Sequence, residues 1–158
     1  MENLVLLAPG ELRLRLSKVQ RKMREAGIDA ILVADNANKY YLTGRVYAGY
    51  AFLPSEGEPV WLVRRPVELG GEGVIYFRRP DELPSLISAA GASPYAVLGL
   101  EYDIAPYSQV VRMQDLFASS SPSLRFANLN PLMREARAVK TPEEVRLCLL
   151  YTSPSPRD

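Results

Sequence analysis

The side chains that could carry chemistry in this chain are carboxylates, because the sequence contains no histidine. Histidine is the commonest general base and metal ligand in proteins, and without it Ser-His and Cys-His nucleophile pairs are excluded. Two carboxylates can still cooperate as general acid and general base. The candidates for such a pair are Asp29, Asp35, Asp81, Glu101 and Asp103.

The positions of these carboxylates favour structural roles for most of them. Asp29 directly precedes an apolar strand and is expected to be solvated or structural, whereas Asp81 stands where a helix should begin and is predicted to cap it. Glu101 and Asp103 differ, because they follow the buried run "VLGL". Ligands of α/β proteins gather at the carboxyl ends of strands, so this pair is the more interesting one.

Tyrosines surround an arginine in the segment "NKYYLTGRVYAGY". Tyr41, Tyr47 and Tyr50 lie close in sequence to Arg45, and surfaces of aromatic rings and guanidinium groups often form contact sites. Tyrosine also suits half-buried strands, so packing within the sheet is the commoner role. Both interpretations remain open from the sequence.

Two further arginine pairs occur in "VRRP" and "FRRP", where predicted strands end before a proline. Solvated strand ends are the ordinary interpretation of Arg64, Arg65, Arg78 and Arg79. The alternative is that one of them, above all Arg64, binds a carboxylate or contributes to an interface. The guanidinium group suits this role because it forms bidentate hydrogen bonds with a carboxylate.

The composition argues against several classes of partner. With a net charge of +1 and a pI of about 7.8, the chain has no strong electrostatic attraction to nucleic acid or to an acidic membrane. The start "MENLVLLAPG" has an apolar run too short for a signal peptide or a membrane span, and a single cysteine, Cys148, indicates a reducing compartment. We therefore expect a cytoplasmic protein with no nucleic-acid and no membrane partner.

Periodicity along the chain predicts alternating helices and strands. Helices are expected at 11–26, 36–43, 80–91 and 107–117, and another should begin at Asn130. Strands are expected at 28–34, 46–54, 59–63, 73–77, 95–101 and 124–129, with an antiparallel hairpin in the middle. Since "IDAILVA" contains the continuous apolar run "AILVA", helices should cover both faces of the sheet. The predicted fold class is α/β, with about six strands in a mixed sheet.

Three segments carry a resemblance to a known family. The first helix running into "GIDAILVADNANKYYLTGR", then "VLGLEYD", and finally "LNPLMREARAVKTPEEVRL" resemble the amino-terminal domain of the creatinase, prolidase and aminopeptidase P family. The resemblance covers about residues 11–147. Its most specific parts are YLTG at 41–44 and R-x-V-K-T-P-E-E at 137–144, which occur in the family's order and at its separation.

The resemblance implies a metallopeptidase of two domains. Residues 1–137 would form the amino-terminal domain, and 138–147, which include a T-x-x-E capping box at Thr141, would begin the linker helix to a catalytic domain. That missing domain would hold two divalent metal ions (Mn, Zn or Co) on Asp, Asp, His, Glu and Glu, so this chain is expected to have no catalytic residue and no cofactor of its own. Residues 148–158 resemble translated adapter sequence and are expected to be non-native.

In the family that this sequence resembles, the amino-terminal domain supports a homodimer and limits access to the metal site. The resemblance places five residues at a substrate rim or interface: Tyr41, Arg45, Tyr47, Tyr50 and Arg64. The expected substrate of the parent protein is a peptide or a small amide. A stand-alone α/β binding module, or a nucleotide-binding domain, remains an alternative, although "ELGGEGV" lacks the G-x-G-x-x-G order of a dinucleotide site.

Overall fold

Helices and strands alternate along the chain as the sequence periodicity predicts. The computed structural model describes residues 9–65, 70–71, 73–92 and 94–138. The helices are α1 (Pro9–Ala26), α2 (Asn36–Thr43), α3 (Leu83–Ala89), α4 (Tyr107–Ser120) and α5 (Asn130–Ala138). The strands are β1 (Ala30–Val33), β2 (Ala48–Pro54), β3 (Val60–Arg65), β4 (Val74–Tyr76), β5 (Val97–Leu100) and β6 (Arg125–Asn128).

The strands form one six-stranded mixed sheet in the order β4-β3-β2-β1-β5-β6. β2 is antiparallel to both of its neighbours, whereas the pairs β1–β5, β5–β6 and β3–β4 are parallel. Every strand except β2 therefore ends at the same side of the sheet, where β2 begins. We call this side the carboxyl edge.

Apolar side chains cover both faces of the sheet, because successive residues of a strand point to opposite faces. Ile31 and Val33 of β1 pack with α1, α2 and α5, whereas Ala30 and Leu32 pack with α3 and α4. Full burial of one large aliphatic side chain contributes about 1.5–3 kcal/mol, so the two cores hold the helices in place. The fully buried side chains include Met23, Leu42 and Met133 on the first face and Phe52, Ile87 and Phe117 on the second.

Local signals fix the ends of α2, the helix that follows β1. The Asp35 carboxylate accepts a hydrogen bond from the Asn38 backbone N–H at 3.1 Å, which caps the first turn. At the other end Gly44 has a φ of 72°, and its N–H donates to the Tyr40 carbonyl at 2.8 Å. Such a left-handed position favours glycine, so the chain can leave the helix here and turn into β2.

The prediction that Asp81 caps a helix is wrong. Asp81 lies in the 3-10 turn Pro80–Glu82, which precedes α3, and its carboxylate is 3.5 Å from Arg79 Nε. A cap at Asp81 would bond the N–H of residue 83 or 84, and Pro84 has no N–H to donate. The neighbouring Glu82 carboxylate instead accepts the Arg78 backbone N–H at 3.0 Å.

The predicted linker helix from Thr141, Cys148 and the segment 148–158 lie outside the described residues, so these predictions stay open. Within the residues that the structure describes, no helix has the length and apolar character needed to cross a membrane.

Candidate functional site

A buried carboxylate, Glu101, connects the strands that meet at the carboxyl edge. It directly follows β5 and only 4% of its surface is exposed. Its oxygens accept hydrogen bonds from the backbone N–H groups of Ala34 and Asp35, at 2.8 and 3.1 Å, and from Asn38 Nδ2 at 3.1 Å. Glu101 therefore ties the end of β5 to the loop between β1 and α2.

The surroundings of Glu101 favour a structural role over acid–base catalysis. Burial raises the pKa of its carboxyl above the ordinary value. The hydrogen bonds from Ala34, Asn38 and Asp35 lower this pKa but only partly offset the effect of burial. Both oxygens are already occupied by donors, so neither is directed at a ligand. No group of three histidine, cysteine, aspartate or glutamate side chains within the described ranges is arranged to hold a metal ion.

A second buried charge, Lys39, fixes the segment between α2 and β2. Lys39 is 3% exposed, and its Nζ donates to the carbonyls of Tyr47 at 2.6 Å and Gly49 at 3.2 Å. Burial lowers the pKa of this amine, while the charges of Glu101 and Asp35 raise it. Lys39 was not predicted from the sequence, although its position three residues before the apolar Leu42 was an available signal.

Two of the five predicted rim residues are packing residues within this chain. Tyr41 and Tyr47 are 7% and 4% exposed, and their rings lie 4.7 Å from the Arg15 guanidinium carbon and 4.8 Å from Lys39 Nζ. The Tyr41 hydroxyl donates to the Ala136 carbonyl at 3.1 Å, and burial raises the pKa of Tyr47. Both rings therefore pack within this domain, and a rim or interface role for them stays a prediction.

Arg45 has a structural partner at the carboxyl edge. Its Nη1 donates to the Gly70 carbonyl at 2.7 Å, and the Gly70 N–H donates to the Tyr76 hydroxyl at 2.8 Å. A Cβ on Gly71, which has a φ of 119°, would lie 2.9 Å from Arg45 Nη1. Arg45 thus holds part of the connection between β3 and β4, and contact with a substrate stays a prediction.

The structure brings Tyr50 and Arg64 together on neighbouring strands of the sheet. Tyr50 pairs directly with Leu62 of β3, and Arg64 follows two residues further along, where the register between β2 and β3 is irregular. Tyr50 is half-buried and its ring centre lies 5.8 Å from that of Phe77. Burial raises the pKa of Tyr50, and the positive charges of Arg112 and Arg64 oppose that shift. Arg112, on α4, was not found from the sequence because nothing in the helix pattern distinguishes it.

Several exposed apolar side chains lie in connections at the same edge. Val46, before β2, is 73% exposed, and Tyr107, at the start of α4, is 83% exposed. Tyr102 and Ile104, in the connection from β5 to α4, add further exposed apolar surface. Exposed apolar side chains that lie near one another often mark contact surfaces. The carboxyl edge is therefore the candidate functional site, with Tyr50 and Arg64 beside an apolar rim.

Comparison with known proteins agrees with this fold. The family model of the creatinase/prolidase N-terminal domain matches residues 15–139. Ectoine hydrolase of Halomonas elongata is 31% identical over 83% of this chain, and the Xaa-Pro dipeptidase of Pyrococcus furiosus is 24% identical over 84%. The match covers 38% and 37% of these two relatives, so this chain spans less than two fifths of their length.

Solved structures show the same architecture at low sequence identity. The prolidase from Pyrococcus horikoshii superposes with a TM-score of 0.64 at 21% identity, over 84% of this chain and 37% of that chain. The creatinase/prolidase N-terminal domain of an X-Pro dipeptidase from Streptococcus pyogenes superposes with a TM-score of 0.62 at 18% identity, over 77% of this chain and 98% of that chain. This chain belongs to the creatinase/prolidase N-terminal domain family.

Proposed function

We propose that this chain is the non-catalytic amino-terminal domain of a metal-dependent hydrolase of the prolidase and aminopeptidase P type. The observation that carries the proposal is the family match over residues 15–139, in a chain that spans under two fifths of its curated relatives. The rest of such a protein would hold two divalent metal ions, Mn, Zn or Co, which supply an activated water for hydrolysis.

The substrate class follows from the names of the relatives. One is an ectoine hydrolase and the other an Xaa-Pro dipeptidase, and the former has the higher identity to this chain. A peptide or a small amide-like molecule is therefore the proposed substrate of the parent protein. Residues 1–147 contain no cysteine and so no disulfide, which supports the proposal that the protein works in the cytoplasm.

The proposed role of this domain is to limit access to the metal site and to support a homodimer. The half-buried Tyr50 ring and the exposed Arg64 would contact substrate, and the exposed Val46 and Tyr107 would lie in an interface. Aromatic and guanidinium groups suit both tasks, because they provide large contact area with little loss of conformational freedom.

The substrate part of this proposal is tested by kinetics on the full-length protein. Tyr50→Ala should raise KM about tenfold, since a contact worth about 1.4 kcal/mol is lost, and Tyr50→Phe separates the hydroxyl from the ring. Leu14→Ala, at a 49% exposed position on α1, is the matched control. Unchanged KM in both Tyr50 variants, with folding confirmed, would remove Tyr50 from the rim.

The dimer part of the proposal is tested by sedimentation of the full-length protein. Val46→Asp and Tyr107→Asp should each shift a dimer toward monomer, because a buried unpaired charge opposes association. Leu14→Asp should leave the assembly unchanged. If the protein is a monomer before any substitution, the dimer proposal fails.

A further inference from the structure

An open groove lies where β3 and β4 end, beside the 3-10 turn that precedes α3. Its volume is about 750 Å³, which is enough for a small ligand. The side chains that line it come from three short stretches of sequence, and they are Arg64, Arg65, Tyr76, Phe77, Arg78 and Glu82. We call it the arginine groove.

The arginine groove carries a net positive charge, because three arginines and one acid line it. Arg64, Arg65 and Arg78 are exposed, and among the described contacts their guanidinium groups have no hydrogen-bond or ion-pair partner. The one acid in the lining, Glu82, accepts the Arg78 backbone N–H at 3.0 Å. Three neighbouring cations repel one another, so an anion in the groove would be attracted by all of them.

Several other exposed cations of this chain lie beside acidic side chains, whereas among the described contacts the three arginines of the groove form no ion pair. Arg13 lies 3.3 Å from Glu58, and Arg134 lies 3.0 Å from Asp103. Because the net charge of the chain is only +1, the excess in the groove is a local feature and not a consequence of a generally basic surface.

Aromatic rings provide an apolar surface beside these charges. Phe77 is 5% exposed and is held by its contact with Tyr50, whereas Tyr76 is 41% exposed. A ligand with a negative group and a small apolar body would meet both kinds of lining. Guanidinium groups bind carboxylates through bidentate hydrogen bonds, which lysine cannot form.

We infer that the arginine groove binds a small ligand through its carboxylate, with Arg64, Arg65 and Arg78 around the anion and Tyr76 and Phe77 against the apolar part. Anion binding follows from the groove itself. The choice of a carboxylate over phosphate rests on the proposed function, since a dipeptide ends in a carboxylate.

The test is calorimetric titration of the purified 158-residue chain at low salt. The ligands are the dipeptide Ala-Pro, the same dipeptide with an amidated carboxyl terminus, and inorganic phosphate. We expect Ala-Pro to bind at least about tenfold more tightly than its amide, and added salt to weaken that binding. Arg64→Gln and Arg78→Gln should each weaken it about fivefold, and Arg64→Lys less than Arg64→Gln.

Arg125→Gln is the matched control, because Arg125 is exposed and lies on β6, at the opposite side of the sheet from β4. It should leave affinity unchanged, and unfolding curves of all variants confirm that they fold. Equal binding of the dipeptide and its amide, or no binding at all, would overturn the inference. Binding of phosphate alone would overturn the carboxylate assignment. If Arg125→Gln weakens the affinity for Ala-Pro as much as Arg64→Gln does, the binding depends on the overall charge of the chain and the inference is wrong.

The outcome separates this inference from the proposed function. If the chain binds Ala-Pro through the groove and the full-length protein hydrolyses neither dipeptides nor ectoine, the groove stands and the proposed function fails. If the full-length protein is an active hydrolase and the groove binds no anion, the inference alone is wrong.

Discussion

Replacing Glu101 by glutamine tests whether this carboxylate holds the carboxyl edge together. Glutamine has nearly the same shape, and its carbonyl oxygen can still accept the N–H groups of Ala34 and Asp35. Its amide nitrogen, however, would face Asn38 Nδ2, which donates to Glu101 at 3.1 Å. The side-chain amide of Asn38 cannot flip without losing another hydrogen bond, because its Oδ1 already accepts from Arg137 Nη1 at 3.0 Å.

The expected loss is about 2 kcal/mol, since one hydrogen bond to a charged group disappears and a buried donor is left unpaired. Relief of the buried charge offsets part of the cost and is included in that figure. Glu101→Leu should cost about 4 kcal/mol, because all three donors lose their acceptor. For a chain of this size the glutamine variant should melt about 4–8 °C lower.

Urea denaturation followed by the fluorescence of Trp61, the one tryptophan in the sequence, measures these values. Glu25→Gln is the matched control: this carboxylate is 65% exposed and lies 3.9 Å from Arg21 Nε, so its replacement should change stability by less than about 0.5 kcal/mol. A Glu101→Gln variant with the urea midpoint of the parent chain would refute the role assigned to the carboxylate.

Three further predictions concern pH, backbone geometry and the buried lysine. Burial raises the pKa of the Glu101 carboxyl above its ordinary value, so the folded chain holds this proton more tightly than the unfolded chain, and the parent loses stability as pH rises through the folded pKa. Its advantage over Glu101→Gln should therefore be larger in acid and fall toward the value given above as pH rises, and a difference that does not change with pH would contradict this. Gly49→Ala should destabilise by more than about 3 kcal/mol in the same denaturation assay, because its φ is 146° and a Cβ would lie 2.0 Å from the Leu62 carbonyl oxygen, whereas Gly10→Ala, with nothing within 4 Å, should be neutral or stabilising. Lys39→Met should cost about 2 kcal/mol and speed amide hydrogen exchange in residues 47–50, since two carbonyls lose their donor; unaltered exchange there would show that Lys39 does not fix this segment.

The fold could be predicted from the sequence because its strongest patterns are also its structural determinants. The apolar run "IDAILVA" predicts a strand buried on both faces, and all four residues of β1 are buried. The glycines after α1 and α2, Gly27 and Gly44, have φ values of 74° and 72°, as their cap positions require. The position of Asp81 could not be predicted by the same rule, because the missing N–H of Pro84 overrides its preference for a cap.

The site was less predictable, since burial of a polar side chain depends on partners distant in sequence. Glu101 was singled out by its position after β5, but its donors lie 63 or more residues away, at Ala34, Asp35 and Asn38. The sequence leaves open whether Tyr41 packs inside the fold or lies at the surface, and in the structure its hydroxyl donates to the Ala136 carbonyl of α5. Such pairings follow from the sheet topology, which local patterns do not encode.

We propose that this domain serves a hydrolase whose metal ligands lie outside it. The most direct measurement compares hydrolysis of Xaa-Pro dipeptides and ectoine by the purified 158-residue chain and by the product of the reading frame extended beyond it. The extended product should hydrolyse one of these substrates and lose that activity on metal chelation, while the 158-residue chain should hydrolyse neither. Cleavage by the 158-residue chain itself, with contaminating proteases excluded, would contradict the account.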